Sequence, residues 1–202
     1  MEFKALGDFV TPIVIDLEWN HAMPGRRPVD GLPNEIIQIG AARIDDGFNV
    51  VSTFSELIKP CYYPRLCKDI TELTLIKDAD LEGAAPFLQV MEAFRDWCGT
   101  GYVFVSWGPN DILELRRNCD KFGFATDWIA DCFDAQLMFD DMKMQEDRNW
   151  PLNYALYHFN EKPAGAHNAL ADVLSTVSVL KHLDLTDGLE DEYYKVIVDD
   201  GL

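Results

Sequence analysis

Four acidic residues are spaced in this sequence in a way that predicts metal-dependent chemistry. Asp16 and Glu18 are two residues apart in an apolar run, so in a β-strand their side chains lie on one face, about 6–7 Å apart along the backbone. Carboxylates this close repel each other unless a positive charge lies between them. Asp111 and Asp172 follow in later segments. Four converging carboxylates favour a hard cation such as Mg²⁺ or Mn²⁺ over zinc.

A histidine near the last of these acids supplies a candidate base. His167 precedes Asp172 by five residues, which on a continuous helix sets the two side chains about 140° apart. We therefore predict His167 in the loop that precedes the helix, with Asn168 as the helix N-cap. Its unperturbed pKa of about 6.5 allows it to take a proton from water at physiological pH. Such a base beside paired metal ions suits two-metal phosphodiester hydrolysis.

The strands that must position these residues are visible as apolar patterns. The run around Val14 and Ile15 predicts a buried strand that ends in Asp16-Leu17-Glu18. The segments EIIQIGAARID and FNVVSTFSELIKP predict an antiparallel hairpin, joined by a two-residue turn at Asp46-Gly47. YVFVSW predicts another buried strand, and residues 128–133 predict a short fifth one. Ligands in such sheets bind outside the carboxyl ends of the strands.

Helices are predicted where apolar residues recur at three- and four-residue spacings. They begin at Pro86, at Asn110, near Leu152 and at about residue 168, the last one ending near residue 182. Asn110 is the predicted cap of its helix, which puts Asp111 in the first turn. The order βββαβαβαα predicts an α/β fold, a mixed five-stranded sheet with an antiparallel hairpin, flanked by helices. We predict one domain over residues 1–202, with a motif-bearing core at about 11–183.

Composition limits the classes of protein that this chain can belong to. Its 202 residues include 17 Lys and Arg against 35 Asp and Glu, a formal net charge of −18 at pH 7. A hydrophobic content of 48% supplies a core and excludes intrinsic disorder as the main state. No uncharged apolar run approaches the roughly 18 residues of a membrane span, so we predict no membrane association. The acidity argues against a simple electrostatic nucleic-acid binder.

The remaining polar residues give weaker signals. Five cysteines without a C-x-x-C pair predict neither a disulfide framework nor a cysteine zinc site. The N-terminal segment lacks the basic and apolar regions of a secretory signal, and we expect a cytoplasmic protein with reduced thiols. His21 and His158 are interpreted as ordinary surface or satisfied histidines. Five basic residues in predicted loops are interpreted as scattered surface charge: Arg26, Arg27, Arg65, Lys68 and Lys77.

Three segments resemble the motifs of the DEDDh family, also called DnaQ-like 3′→5′ exonucleases. They are IDLEWN with Asp16 and Glu18, SWGPNDILELRRNCDKFG with Asp111, and HNALADV with His167 and Asp172. The H-x4-D spacing marks the histidine subclass. Further similarity in NEIIQIGAARI, CKDITELTLI and LNYALYHFN extends the resemblance over roughly residues 11–183. Cys67, Thr71 and Thr74, with Ser106-Trp107-Gly108, are more similar to the ERI-1-type RNA exonuclease branch than to the proofreading branch.

The resemblance implies an RNase H-like fold and release of nucleoside 5′-monophosphates from a single-stranded 3′ end, of RNA in preference to DNA. It implies two divalent metal ions, Mg²⁺ or Mn²⁺, one held by Asp16, Glu18 and Asp172 and the other by Asp16 and Asp111. It makes His167 the general base. Candidate substrate contacts are Leu17, Trp19, Thr71, Leu73 and Trp107. Trp19 stands where family members often have Thr.

Two alternatives remain open from the sequence. A DNA-directed proofreading or repair exonuclease would use the same mechanism, and a non-catalytic module on the same fold would bind a basic partner through its acidic surface. The pattern carries no prediction of oligomeric state. D-x-E recurs at Asp80-Leu81-Glu82 in a charged segment, which is typical of solvated surface. The order and context of the motifs therefore carry more weight than any one of them.

The net charge also predicts how a nucleic acid would be captured. Two bound divalent cations would offset about four negative charges in the cleft, while the rest of the surface stays acidic. We therefore predict weak, metal-dependent capture of a short 3′ end in place of tight long-range binding.

Overall fold

The computed structural model describes residues 10–143, 149–165, 168–183, 189 and 191–196. The strands are β1 (Thr11–His21), β2 (Asn34–Ile44), β3 (Val50–Lys59), β4 (Ala85–Pro86), β5 (Tyr102–Ser106) and β6 (Cys132–Asp134). The helices are α1 (Lys68–Thr74), α2 (Asp78–Glu82), α3 (Phe87–Cys98), α4 (Asn110–Phe122), α5 (Ala135–Lys143), α6 (Leu152–His158) and α7 (Ala169–Leu180), and a 3₁₀ turn covers Glu192–Tyr194. None of the helices in the described ranges is long and apolar enough to cross a membrane.

The strands form one sheet in the order β4-β3-β2-β1-β5-β6. β2 runs antiparallel to both of its neighbours, and β1, β5 and β6 are parallel to one another. The predicted mixed sheet with an antiparallel hairpin is confirmed, but it has a sixth strand. Ala85 pairs with Ile58 at the edge of β3. A strand of two residues is too short to show alternation of apolar and polar residues. The apolar spacing after Pro86 instead predicts that a helix begins there.

The structure adds three helices to the predicted order, namely α1, α2 and α5. They have seven, five and nine residues, which is less than the 11–18-residue window in which an apolar stripe becomes recognisable. The last strand is also displaced, since β6 covers Cys132–Asp134 in place of 128–133. The longer predicted helices, α3, α4 and α7, are all present with buried apolar faces.

Two predicted local details turn out differently. The hairpin loop covers residues 45–49, because the Asp45 carboxylate accepts hydrogen bonds from the amides of Gly47 and Asn49, both at 2.9 Å, and Phe48 has a φ of 58°. An Asp side chain that bonds amides further along the chain replaces a two-residue turn. The predicted cap at Asn110 is wrong, because Asn110 is the first residue of α4 and the N-cap is Pro109, whose side chain makes no cap hydrogen bond. The predicted N-cap of α7 is confirmed, since the Asn168 side chain accepts from the amide of Ala171.

The sheet is covered on both faces. Alternate residues of β1 belong to two different core clusters. Ile13, Ile15 and Leu17 pack with α3 and α4 on one face of the sheet. Val14 packs with α5, α6 and α7 on the other face. A third, smaller cluster joins Ile37 of β2 to the apolar residues of α1 and α2. All five cysteines are free thiols, in agreement with the predicted lack of a disulfide framework.

β1 is longer than its neighbour β5, and this leaves a gap in the sheet. β5 pairs with β1 only as far as Val14 and Val105, whereas β1 continues to His21 beside β2. The chain passes from β1 toward β2 on one side and from β5 toward β6 on the other, so this is the point where strand order reverses. Crevices form outside the carboxyl ends of strands at such points. Asp16 and Glu18 lie directly beyond the last β5 pairing.

The start of α7 lies against the backbone of β2. A Cβ at Gly40 would be 2.4 Å from the carbonyl carbon of Ala169 and 2.4 Å from the amide nitrogen of Leu170, so only glycine fits at this contact. The Gln38 side chain accepts a hydrogen bond from the amide of Ala169 at 3.1 Å. This bond satisfies one of the free amides at the helix N-terminus. Steric contact and hydrogen bond together fix where α7 begins.

The same two residues of β2 are the register partners of the acidic residues of β1. Gly40 pairs with Asp16, and Gln38 pairs with Glu18. The first turn of α7 is therefore attached to the sheet beside both carboxylates.

We predict that Gly40→Ala destabilises the protein, because the added Cβ meets backbone atoms that cannot rotate away. Overpacking of this kind costs about 1–3 kcal/mol, and each 1 kcal/mol lowers Tm by roughly 2–4 °C in a chain of this size. Thermal melts followed by circular dichroism would measure the change. Gly83→Ala is the matched control, since no atom lies within 4 Å of the added Cβ. Equal melting of the two variants would contradict the tight contact.

Candidate metal centre

Three of the sequence-predicted acids come together in the structure. Asp16, Glu18 and Asp172 each offer a carboxylate oxygen, and these oxygens lie within 4.8 Å of one another. Two of them come from β1 and the third from the first turn of α7. Oxygen ligands of Mg²⁺ at about 2.1 Å lie at most about 4.2 Å apart, so small side-chain rotations would bring all three onto one cation.

Asp111 reaches the same place from the other side of the gap. It lies in the first turn of α4, as predicted, and its Oδ1 accepts a hydrogen bond from the backbone amide of Leu17 at 2.9 Å. Leu17 stands between Asp16 and Glu18, in the part of β1 that β5 does not reach. Asp111 is only 6% exposed, and the helix dipole favours its charge there. The bond fixes Asp111 to the strand that carries the other two acids.

Burial and mutual repulsion raise the pKa values of the acids on β1. Burial is the largest cause for Asp16, whose pKa lies well above its usual value, and the charges of Asp111, Glu18 and Asp172 raise it further. Burial raises the pKa of Glu18 to about 7, with added repulsion from Asp172 and Asp111. The charges that act most strongly on both groups are therefore other carboxylates. Such a cluster is stabilised by a cation.

The pKa of Asp111 is also raised, to about 7, although its causes differ. Burial again contributes most, the hydrogen bond from Leu17 lowers the pKa in part, and the charges of Asp134 and Asp172 raise it. A donor set made only of carboxylate oxygens fits Mg²⁺ or Mn²⁺ better than zinc. The residues present therefore fit a divalent cation.

Asp134 also influences the site, because its charge raises the pKa of Asp111. The sequence motifs do not include it. It ends β6, and its Oδ1 accepts hydrogen bonds from the amides of Gly108, at 3.1 Å, and Leu137, at 3.0 Å. It thus holds the turn that leads from β5 into α4, which carries Asp111. Asp134 directly precedes α5 and accepts from an amide three residues further on. This is the pattern of a helix N-cap. Recognising α5 would have revealed this signal.

The candidate substrate contacts fall into two groups. Leu17 is 4% exposed and packs in the first core cluster, with Trp19 partly buried against it. Trp107 packs on Phe139 with ring centroids 5.8 Å apart, and its Nε1 donates to the carbonyl of Trp150. On α1, Thr71 is half-buried and Leu73 is 47% exposed. Their roles as substrate contacts stay predictions. The candidate base, His167, lies outside the described residues, so its role also stays a prediction.

A second group of metal-capable side chains lies at the far end of β1. His21 Nε2 is 3.0 Å from Asp69, its Nδ1 is 2.9 Å from the carbonyl of Ala22, and the Cys67 thiol is 3.6 Å from that ring. Both ring nitrogens already have partners, and burial raises the pKa of Cys67, which disfavours the thiolate that a metal requires. The cluster of Asp16, Glu18 and Asp172 is therefore the better metal site of the two. The sequence separation of these residues hides the contact from any local pattern.

We predict that the metal-free protein loses stability as pH rises from about 5 to 8. Glu18 and Asp111 have pKa values of about 7 in the folded state, against about 4 in an unfolded chain. In this interval the folded state holds more protons than the unfolded state, so stability falls with rising pH. Thermal melts in chelator at constant ionic strength would show it.

Saturating Mg²⁺ or Mn²⁺ should flatten this dependence, because the cation favours the charged carboxylates. The variant carrying both Asp16→Asn and Glu18→Gln should lose much of the pH dependence and respond less to metal. A metal-free protein that gains stability from pH 5 to 8 would contradict the shifted pKa values.

Comparison with known proteins agrees with the motifs. A family model described as exonuclease, RNase_T, matches residues 13–180. The DNA polymerase III PolC-type of Streptococcus pyogenes serotype M5 (strain Manfredo) is 40% identical over 93 residues, which cover 46% of this chain and 6% of that protein. A second PolC-type polymerase from Streptococcus pyogenes is 35% identical over 112 residues, 53% of this chain and 7% of that protein. The chain thus spans less than a tenth of the length of these relatives.

Solved structures share the fold. The nuclease domain of 3′hExo, a DEDDh family member bound to rAMP, superposes with a TM-score of 0.78 at 18% identity, covering 98% of this chain and 100% of that one. Cell-death related nuclease 4 gives 0.73 at 18% identity, with 86% and 63% covered. The predicted RNase H-like fold is confirmed. Because the family model matches most of its length, this chain belongs to the RNase_T exonuclease family, with the fold of its DEDDh members.

Proposed function

We propose that this protein is a divalent-metal-dependent 3′→5′ exonuclease that shortens single-stranded nucleic acid, RNA in preference to DNA, and releases nucleoside 5′-monophosphates. Family membership makes it an exonuclease domain that acts on nucleic acid. The observation that carries the finer proposal is the approach of the Asp16, Glu18 and Asp172 carboxylates to within 4.8 Å at the gap between β1 and β5. Such a group is costly in a folded protein unless it binds a cation.

In this proposal the acids divide between two metal ions. Asp16, Glu18 and Asp172 would hold one and Asp16 and Asp111 the other. Metal ions bound there would stabilise charge on the attacking and leaving oxygens of an in-line displacement. The chain itself supplies the rigid placement, since α7 is fixed on β2 and Asp111 is fixed to the Leu17 amide. Preorganised charge of this kind lowers a barrier without rearrangement during the reaction.

His167 would act on the water that attacks the phosphorus. A neutral imidazole takes the proton from that water, and its ordinary pKa lies close to physiological pH. The position directly before the N-cap of α7 supports this role, because α7 also carries Asp172.

A DNA substrate is the second candidate. It is favoured by the 35–40% identity with PolC-type DNA polymerases, whereas the structural neighbour bound to rAMP favours RNA. Initial rates on RNA and DNA single strands of the same sequence and length, measured at equal concentration, would decide between them. A higher rate on DNA would overturn the RNA preference and leave the mechanism untouched.

We predict that Asp16→Asn and Glu18→Gln each lower the rate by at least about 100-fold, since a metal ion supplies several kcal/mol of transition-state stabilisation and each 1.36 kcal/mol is tenfold in rate. The assay follows shortening of 5′-labelled single-stranded RNA and DNA in Mn²⁺ or Mg²⁺. Neither variant should melt below wild type without metal, because each removes a charge from a repelling group.

The second D-x-E copy supplies the matched control. Glu82 is exposed on α2, so Glu82→Gln makes the same chemical change outside the site and should retain full activity. Absence of 3′ shortening by the wild type on both substrates, with no metal-dependent rise in Tm, would favour the non-catalytic module instead.

A further inference from the structure

We propose that a basic pocket at the far end of β1 binds the substrate strand upstream of its 3′-terminal nucleotide; this rests on the proposed function. The pocket has a volume of about 360 Å³, enough for one nucleotide-sized group. Six of its ten lining residues are basic or aromatic, although most of the lining surface is apolar; they are Arg26, Arg27, Arg65, His21, Tyr62 and Tyr63. The sequence pattern predicts only scattered surface charge for these arginines. Arg65 lies 38 residues after Arg27 along the chain, so no local pattern connects them.

The charge of this pocket is opposite to that of the molecule as a whole. The chain carries 35 acidic residues, yet within the described ranges the guanidinium groups of Arg26, Arg27 and Arg65 form no ion pair with any of them. Their donors remain available for a ligand from outside. Guanidinium groups bind phosphate in bidentate fashion and stack on planar rings. An anionic, base-bearing strand meets both requirements.

Buried polar side chains hold the pocket wall in place. Glu35 is 1% exposed and accepts hydrogen bonds from three successive amides, those of Cys61, Tyr62 and Tyr63, at 2.5–3.0 Å. Asn20 is fully buried and donates to the carbonyls of Tyr63 and Arg65, both at 2.9 Å. Buried polar groups with all partners satisfied rigidify their surroundings. The wall segment is therefore preorganised for a ligand.

The opposite wall is tied to the same segment. The Tyr63 hydroxyl donates to the carbonyl of Leu32 at 2.6 Å and accepts from the amide of Val29 at 2.8 Å. These bonds attach the loop that follows β1, which carries Arg26 and Arg27, to the segment that carries Arg65. The three charges are thus brought to one cavity by contacts that belong to the fold.

The distance between the pocket and the metal centre corresponds to a few nucleotides of a bound strand. His21 lies three residues beyond Glu18 on β1, which corresponds to about 10 Å along the strand. A stacked nucleic-acid strand advances about 3.4 Å per nucleotide, so this distance corresponds to about three nucleotides. With the 3′ end at the carboxylates, the upstream phosphates would arrive at the arginines, whose guanidinium planes also stack on bases.

The test compares a substrate that reaches the pocket with one that does not. A 5′-labelled dinucleotide occupies only the metal centre, whereas a 12-residue single strand extends past it. For the double variant Arg26→Gln/Arg27→Gln we expect at least a tenfold higher KM on the 12-mer with little change in kcat, and unchanged kcat/KM on the dinucleotide. The salt dependence of 12-mer binding should weaken by about 1.4 in log–log slope, because a single strand contributes about 0.7 per phosphate contact.

Lys77→Gln/Lys181→Gln is the matched control, since it removes two exposed positive charges elsewhere. Equal KM values for the two double variants on the 12-mer would overturn the proposal. Anisotropy of a labelled 12-mer, measured in the Asp16→Asn/Glu18→Gln background, keeps the test independent of catalysis, because these substitutions remove two of the repelling carboxylate charges without requiring metal. Loss of that binding in the arginine variant supports the pocket even if the wild type hydrolyses nothing. If the arginine variant binds poly-glutamate less well than the wild type does but binds the 12-mer equally well, the pocket belongs to an acidic protein partner and the proposal is overturned.

Discussion

The contact between the first turn of α7 and the backbone of β2 is the constraint on which the rest of the site depends. Asp16 and Asp172 are separated by most of the chain, and they meet only because Gly40 lets a helix lie directly on a strand. The Gln38 side chain then satisfies an amide that the helix itself leaves free. A close approach of backbones leaves no room for gradual adjustment, because protein interiors are packed as densely as crystals. The carboxylates are consequently held together whether or not their charges favour it.

The electrostatics of the site follow from that enforced proximity. The pKa values of Asp16, Glu18 and Asp111 are all raised, with burial as the largest cause in each case. Holding these groups near one another lowers the stability of the folded state, as is common at functional sites. A divalent cation reverses the sign of this interaction, so metal binding and folding stability become linked. The same argument explains how an acidic protein can act on a polyanion, since the local charge at the cleft depends on bound metal.

The sequence was informative where a pattern was long or a residue type was unusual in its place. The apolar stripes of α3, α4 and α7 extend over three turns or more, and all three helices are present. Asp16 and Glu18 stand out because carboxylates are rare at the end of a buried strand. What no local pattern reveals is a contact between distant segments, such as Asp111 with the Leu17 amide or the three arginines around one pocket. Short elements such as α2 and β4 are equally hidden, because two to five residues cannot show a period.

The hydrogen bonds that Glu35 and Asn20 make to the pocket wall bear on how the molecule responds to temperature. These two residues are register partners on adjacent strands, so the wall is attached to the sheet through polar bonds as well as through the apolar contact of Leu66 and Cys67 with Ile37. Hydrophobic stabilisation weakens on cooling, because the hydration of apolar surface has a large heat capacity. The apolar layers on the two faces of the sheet therefore lose part of their stabilisation in the cold. The hydrogen bonds of Glu35 and Asn20 are the part of the wall's attachment that cooling weakens least.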